Sequence, residues 1–222
     1  MLSEATLREL IAIAKKHNLW IVSDEAYEDV IYAPAEHHSI ASLAPEYAEK
    51  IISIFSFSKS HAMSGLRTGY IVTSAPVLLD RIPKLLRCTI NGVNSLAQWA
   101  AVSAVTGSQD HLEAMRKEYL VRRDLLINAL QGIDGVRPFT PKGSFFVWAE
   151  LEPSLYERLG VADADGVSSL LAAQGIGSAP GDAFGETCAD AIRFSFSCAT
   201  PMVEAGAAAL RRVLTETSAV PA

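Results

Sequence analysis

Two polar segments of this chain carry side chains that could do chemistry, and each follows a short apolar run. Residues 19–22 are apolar throughout, and Asp24 and Tyr27 come directly after them. An aspartate in this position can hold a positive charge on a bound ring, and a tyrosine three residues on can donate a hydrogen bond to the same ligand. Taken alone, the pattern is more typical of a surface turn that ends a strand.

The second polar segment follows the apolar run 51–55 and contains Ser56, Ser58 and Lys59. A crowded, desolvated lysine amine is a nucleophile for Schiff-base chemistry, although most loop lysines are simply solvated. Arg67 follows shortly after. Together with the two serines it offers a cation and hydroxyl donors, which suit a phosphate group.

Arg193 interrupts a strand-like alternation over residues 192–197. An arginine there is either a surface residue of an edge strand or a buried residue whose guanidinium binds a carboxylate. The pattern alone leaves both interpretations open. The glycine-rich stretch 177–185 precedes it. This stretch could let the backbone approach a ligand, or it could be an ordinary turn.

Helices and strands must position these candidate residues. The spacing of apolar residues along the chain predicts where those helices and strands lie. A helix capped by Ser3 leads into strand 19–22. Strands 19–22 and 51–55 lack alternation, which is typical of parallel strands buried on both faces. We predict a third strand, a closing α+β part and a domain boundary near residue 110. The later predicted elements are strand 69–73, helices 76–85, 96–105 and 111–130, strand 144–149, helix 167–173, strand 192–197 and helix 204–214.

The composition argues against several classes of protein. The net charge is −6 and no run of basic residues occurs, so we expect no nucleic-acid partner. Three widely spaced cysteines and the adjacent pair His37 and His38 lack metal-ligand spacing, so we expect neither a metal nor a disulfide framework, and a reducing cytosol. The start does not resemble a signal peptide, and no stretch is apolar enough to span a membrane.

Each of these segments is weak evidence by itself. Their order and spacing together resemble those of a known family. Residues 56–70, SFSKSHAMSGLRTGY, resemble the pyridoxal-phosphate (PLP) attachment signature of class I aminotransferases. The residues 24–27 resemble the family's Asp-x-x-Tyr, 180–185 its Pro-Gly-x-x-Phe-Gly turn, and 193–195 its Arg-x-Ser strand. One departure is Thr68, where the signature usually has an aliphatic residue. The resemblance covers nearly the whole chain.

The resemblance implies an α/β, fold-type I architecture: a partial large parallel-sheet domain in residues 1–110, then a linking helix and a small α+β domain in 111–222. It implies that Lys59 carries PLP covalently and moves the substrate proton, that Asp24 pairs with the pyridine nitrogen, and that Tyr27 bonds the ring's phenolic oxygen. Arg193 would clamp the substrate carboxylate. The phosphate ligands would be Ser56, Ser58 and Arg67.

The implied reaction moves an amino group between an amino acid and a 2-oxo acid, in an enzyme that is a homodimer at full length. Alternatives within the fold are a C–S lyase, a decarboxylase, an aminocyclopropane-carboxylate synthase or a non-catalytic PLP-binding fragment. An effector domain of a transcription regulator is another, but a basic DNA-binding segment is missing. The amino acid is not assigned.

Family members are typically nearly twice as long as this chain. The part without a counterpart here holds a glycine-rich phosphate loop and the aromatic residue that stacks on the cofactor ring. We therefore expect residues 19–22 and 51–55 to lack neighbours, the isolated chain to expose apolar surface, and PLP binding to be weak or absent.

Overall fold

The computed structural model describes residues 1–216. The chain divides into two compact units, Met1–Glu113 and the part that begins at Ala114. The boundary falls inside a long helix, α6 (Asp110–Leu130). Each unit is described by itself.

The first unit combines five helices with a small sheet. Its helices are α1 (Glu4–Lys16), α2 (Ile40–Leu43), α3 (Phe57–Ser60), α4 (Pro76–Thr89) and α5 (Ser95–Thr106), and its strands are β1 (Ile21–Asp24), β2 (Ile51–Ser56) and β3 (Gly69–Val72). Helix α1 begins where the sequence predicts, because Ser3 Oγ accepts a hydrogen bond from the Thr6 amide at 3.2 Å.

The three strands lie in the order β1-β2-β3. Strands β1 and β2 are parallel, as predicted, but β3 runs antiparallel to β2 and is therefore not part of a parallel sheet. The reason is the connection between β2 and β3. It contains only the four-residue α3 and a short 3-10 turn (Ser64–Leu66), which cannot carry the chain back along the sheet as a parallel crossover requires.

One face of this sheet is covered within the first unit, and the other is not. Helices α1 and α2 pack on the covered face, in a core of the buried residues Leu7, Ile11, Ile40, Ala44 and Ile51. On the opposite face Val22 is 62% exposed and Ile71 is 45% exposed. The apolar run 19–22 is typical of a strand buried on both faces, but in this chain Val22 is exposed, which confirms the expectation that the isolated chain exposes apolar surface.

The expected lack of neighbours holds for β1 but not for β2. Strand β2 has a partner on each side, β1 and β3, so residues 51–55 need no strand from elsewhere. Strands β1 and β3 are the two edges of the sheet. The sequence does not predict that β2 has two partners, because the second partner, β3, pairs antiparallel along the side of β2 that β1 leaves free.

The second unit is an α+β structure with an antiparallel sheet in the order β4-β5-β7-β6. Strand β5 shows the alternation of a half-buried strand, since Val147, Ala149 and Leu151 point inward. The elements after α6 are α7 (Pro153–Leu159), α8 (Ala164–Ala173) and α9 (Thr200–Thr215), with β4 (Val136–Phe139), β5 (Phe146–Leu151), β6 (Ala179–Pro180) and β7 (Ala191–Ser195). Among residues 1–216, no helix combines the length and apolar character needed to cross a membrane.

Candidate functional site

The ends of β1 and β2 bring the two polar segments to the same end of the sheet. Asp24, the last residue of β1, lies beside Ile54 in the parallel register, and the Glu25 amide donates to the Ile54 carbonyl at 2.8 Å. The exposed Asp24 carboxylate accepts a hydrogen bond from the Ala26 amide at 3.1 Å. This hydrogen bond closes a turn after β1, and Tyr27 follows the turn directly.

Lys59 reaches the same place from β2. Ser56 ends β2 and caps α3, since its hydroxyl accepts a hydrogen bond from the Ser58 amide at 3.1 Å. The single turn of α3 then carries Lys59, whose ammonium nitrogen lies 5.5 Å from the centre of the Tyr27 ring. Lys59, Tyr27, Ser56 and Ser58 are all half-buried.

The turn after α3 brings Arg67 back toward the end of β2. The Thr68 carbonyl accepts a hydrogen bond from the Phe57 amide at 3.4 Å, and Gly69 pairs with Ser56. Arg67 itself has a left-handed backbone (φ 52°) and is exposed, and its guanidinium donates to the Ser64 carbonyl at 2.9 Å. Since Gly69 pairs with Ser56, the backbone places the cation Arg67, two residues before Gly69, near Ser56.

Gly69 has a steric reason to be glycine. A Cβ at this position would lie 2.4 Å from the Phe55 carbonyl oxygen, which no side chain tolerates. Thr68, the departure from the family signature, is buried with 8% of its surface exposed. The contact that this residue makes next to Ser56 is made by its backbone carbonyl, which a residue of any type at this position would supply.

Sequence reasoning missed a buried carboxylate next to Asp24. Glu25 is only 4% exposed, and it accepts hydrogen bonds from Ser39 Oγ at 3.0 Å and pairs with His37 Nε2 at 2.9 Å. Burial alone would raise the pKa of Glu25, but the hydrogen bonds from His37 and Ser39 hold it below its ordinary value. The hydrogen bond with Glu25 raises the pKa of His37.

His37, for which the sequence indicates no role beyond its lack of metal-ligand spacing, anchors the 37–39 loop to the end of β1 through Glu25. No spacing rule links Glu25 to partners 12 and 14 residues away. Glu28 joins this group, and one ligand atom each from Glu25, Glu28 and His37 lie within 4.8 Å of one another. Glu25 has His37 and Ser39 as hydrogen-bond partners, whereas burial and the neighbouring Asp29 carboxylate raise the pKa of Glu28.

In the second unit, Arg193 lies in the middle of a sheet. Strand β7 pairs with β5 on one side and β6 on the other, which excludes the reading of Arg193 as an edge-strand residue. Its guanidinium carbon lies 4.2 Å from the centre of the Phe146 ring and 4.6 Å from that of Phe184. Both distances are within the range of a cation–π contact, so the two rings stabilise the guanidinium beside them.

The glycine-rich stretch forms a compact turn that delivers one of these rings. Gly181 begins a 3-10 turn (Gly181–Phe184), and a Cβ there would lie 1.8 Å from the Cys188 carbonyl oxygen. Gly181 therefore permits a close approach between two backbone segments, its own and that of Cys188. Its consequence is the position of Phe184 beside Arg193.

Comparison with known proteins gives the family. Residues 1–210 match the model of aminotransferase class I and II. The chain is 37% identical over 205 residues to arginine–pyruvate transaminase AruH of Pseudomonas aeruginosa, covering 92% of this chain and 50% of that protein. It is 32% identical over 217 residues to an aspartate aminotransferase of Musicola paradisiaca, covering 97% of this chain and 52% of that one.

Solved structures agree. An aromatic aminotransferase from Pyrococcus horikoshii superposes with a TM-score of 0.87 at 30% identity, over 96% of this chain and 56% of that one. The chain belongs to aminotransferase class I and II, a family of PLP-dependent enzymes with the fold-type I architecture. It spans about half the length of the curated relatives it matches. The predicted family, fold class and cofactor are confirmed.

Proposed function

We propose that this chain is part of a PLP-dependent aminotransferase that moves an amino group between an amino acid and a 2-oxo acid. The observation that carries the proposal is the meeting of Asp24, Tyr27 and Lys59 at the ends of two neighbouring parallel strands. Open α/β sheets bind ligands at this end. A carboxylate, a phenol and a primary amine are the groups that a pyridine ring with an aldehyde and a phenolic oxygen requires.

PLP, when bound, supplies the electron sink for the chemistry at the substrate's α carbon. The Lys59 amine would hold the cofactor and then move a proton at that carbon, which is a task for a positioned base. The Asp24 carboxylate would accept the hydrogen bond of the protonated ring nitrogen. The Tyr27 hydroxyl would donate to the ring's phenolic oxygen.

The phosphate would lie at the start of α3. The hydroxyls of Ser56 and Ser58 and the guanidinium of Arg67 suit an anion that needs several donors. Arg67 is exposed, and within residues 1–216 its guanidinium donates to the Ser64 carbonyl of its own turn, so turning toward a phosphate costs it this hydrogen bond. This fit supports the cofactor at the Lys59 end of the sheet.

Arg193 would bind the α-carboxylate that amino acids and 2-oxo acids share. A guanidinium packed against two aromatic rings has already lost part of its side-chain freedom, which lowers the entropic cost of binding a carboxylate. The named relatives act on arginine with pyruvate and on aspartate. For this chain the proposal extends only to the shared α-amino and carboxylate groups.

Two further expectations accompany this function. We infer a homodimer for the full-length enzyme, as the resemblance implies. We also infer a reducing, cytosolic location, which the three free cysteines Cys88, Cys188 and Cys198 support.

Covalent trapping tests the cofactor assignment even if binding is weak. The chain would be incubated with millimolar PLP, reduced with borohydride, digested and mapped by mass spectrometry. We expect the pyridoxyl group on Lys59. A label found only on lysines outside the site, such as Lys84 or Lys142, would overturn the assignment.

A further inference from the structure

We propose that Glu25, Glu28 and His37 form a binding site for a divalent transition-metal ion, and that zinc is the ion its donors match. One ligand atom from each of the three side chains lies within 4.8 Å of the other two. The spacing of His37 and His38 predicts no metal, because the further ligands come from the turn after β1. None of the three residues is proposed to hold PLP, so this inference does not depend on the proposed function.

The turn after β1 brings two carboxylates together with an imidazole. The Glu28 amide donates to the Glu25 carbonyl at 3.0 Å, which folds residues 25–28 into one turn. His37 reaches this turn from the following loop, and its Nε2 lies 2.9 Å from a carboxylate oxygen of Glu25. The side chains of Glu25 and His37 are 2% and 28% exposed, and Glu28 is half-buried. The three donors therefore meet in a partly enclosed place and not on an open acidic surface.

The charges of this cluster do not balance without a cation. Glu25 and Glu28 share one imidazole, and Asp29 adds a third carboxylate close to Glu28. Within residues 1–216, no donor makes a hydrogen bond or an ion pair with the Glu28 carboxylate. Burial and the charge of Asp29 raise the pKa of Glu28, which shows how unfavourable its negative charge is. A bound cation would offset the repulsion and give Glu28 a partner.

A buried hydroxyl provides a second, independent observation at the same place. Ser53 lies on β2 and is 1% exposed, and its Oγ has no hydrogen-bond partner within residues 1–216. Burial raises the pKa of Glu25, whereas His37, Ser39 and this nearby Ser53 hydroxyl lower it. The Ser53 hydroxyl therefore lies beside the Glu25 carboxylate without completing a hydrogen bond. A buried polar atom in this state is uncommon and is a mark of a water molecule or an ion.

The donor set selects the kind of cation. Magnesium and calcium ions prefer oxygen ligands, so an imidazole donor favours a transition metal. Zinc binds carboxylate oxygen and imidazole nitrogen at about 2.0–2.2 Å, which places two ligand atoms of a tetrahedral site roughly 3.3 Å apart. Ligand atoms that already lie within 4.8 Å of one another reach this separation through small side-chain rotations. Three protein ligands leave a fourth position for a water molecule, which the Ser53 hydroxyl could bond.

A zinc ion at this position would tie the 37–39 loop to the turn that carries Tyr27. Its two carboxylate ligands, Glu25 and Glu28, flank Ala26 and Tyr27 in the chain. The ion would replace the proton that joins His37 to Glu25 in the metal-free chain. Because the three ligands meet only in the folded state, binding would stabilise the fold.

Zinc titration of residues 1–222 without an affinity tag tests the site. The chain is stripped with EDTA, dialysed to about pH 8 so that the imidazole is neutral, and titrated with zinc chloride in competition with a zinc-sensitive dye. We expect one zinc ion per chain and a higher thermal unfolding midpoint in its presence. A chain that is folded by circular dichroism and binds no zinc would overturn the proposal.

Glu28→Gln is the decisive variant, because the Glu28 side chain has no hydrogen bond to lose and the fold should survive. We expect the Kd for zinc to rise at least about tenfold, since a charged ligand becomes a neutral one. Glu49→Gln is the matched control, at an exposed carboxylate in the 3-10 turn Pro45–Lys50, and should leave the Kd unchanged. Equal zinc affinity of the two variants would contradict the site.

Cobalt distinguishes this site from the three free cysteines. A Co²⁺ ion on carboxylate and imidazole donors absorbs in the visible range without the near-ultraviolet band of a cobalt–thiolate bond. We expect this spectrum in the wild type and in His38→Asn, and its loss in His37→Asn, with the fold of each checked by circular dichroism. A thiolate band, or the same spectrum in His37→Asn and His38→Asn, would place the ion elsewhere and overturn the proposal.

Discussion

The ammonium nitrogen of Lys59 lies 5.5 Å from the centre of the Tyr27 ring, although the two residues are 32 positions apart in sequence. The contact exists because β1 and β2 are parallel neighbours whose carboxyl ends coincide. A cation over an aromatic face contributes modestly to stability at a partly exposed site. Its larger consequence is to set the amine beside the phenol that would share a ligand with it.

Replacement of Lys59 by arginine separates charge from reactivity. Lys59→Arg keeps a cation near Tyr27 but cannot form an imine, so we expect trapping of PLP by borohydride to be lost while the thermal unfolding midpoint changes little. Lys84→Arg is the control, because Lys84 lies on α4 and pairs with Asp80. Retained trapping in Lys59→Arg, measured by intact mass, would contradict the assignment.

The neutral isostere Asp24→Asn removes the charge proposed to face the ring nitrogen. Its side-chain oxygen can still accept the Ala26 amide, so the turn should survive. We expect the PLP concentration for half-maximal trapping to rise roughly tenfold, the size of one charge-assisted hydrogen bond. Asp80→Asn on α4 serves as the control. An unchanged trapping curve in Asp24→Asn would show that this carboxylate does not contact the ring.

Much of the site could be predicted from sequence because its residues follow local rules. Asp24 and Lys59 each come just after an apolar run, and parallel strands place such positions at one end of a sheet. The antiparallel return of β3 and the Glu25–His37 pair could not be predicted in this way. The first depends on how a short connection folds, and the second on a loop whose partner residues have no fixed spacing.

The pair of Glu25 and His37 predicts a pH window for stability. The pKa of His37 is raised above 6.5, so its contribution is complete below pH 6.5 and is lost as the pH rises through the folded-state value. The pKa of Glu25 is lowered below 4.5, so its contribution is complete above pH 4.5 and is lost as the pH falls through the folded-state value. The pair therefore stabilises the fold most between about pH 4.5 and 6.5.

Substitution of His37 tests this window. We expect His37→Asn to lower the free energy of unfolding most between pH 4.5 and 6.5, and progressively less as the pH rises above that range. Urea unfolding at a series of pH values measures the difference from wild type. His38→Asn is the control in the neighbouring position. A deficit in His37→Asn that is constant from pH 5 to 9 would mean that the ion pair does not set the pH dependence.

The turn that begins at Gly181 makes a prediction about the second unit. A Cβ at this position would lie 1.8 Å from the Cys188 carbonyl oxygen and 2.9 Å from that of Ala191, and backbone atoms cannot move aside as a side chain can. We expect Gly181→Ala to lower the free energy of unfolding by about 2 kcal/mol or more, because the turn must shift to relieve the overlap.

Gly177→Ala is the matched control, since no atom lies within 4 Å of its Cβ position. A displaced turn would also move Phe184 away from Arg193, so an aromatic-shifted NMR signal of the Arg193 side chain should be lost together with the stability. Equal stability of the two variants would contradict the close packing at Gly181.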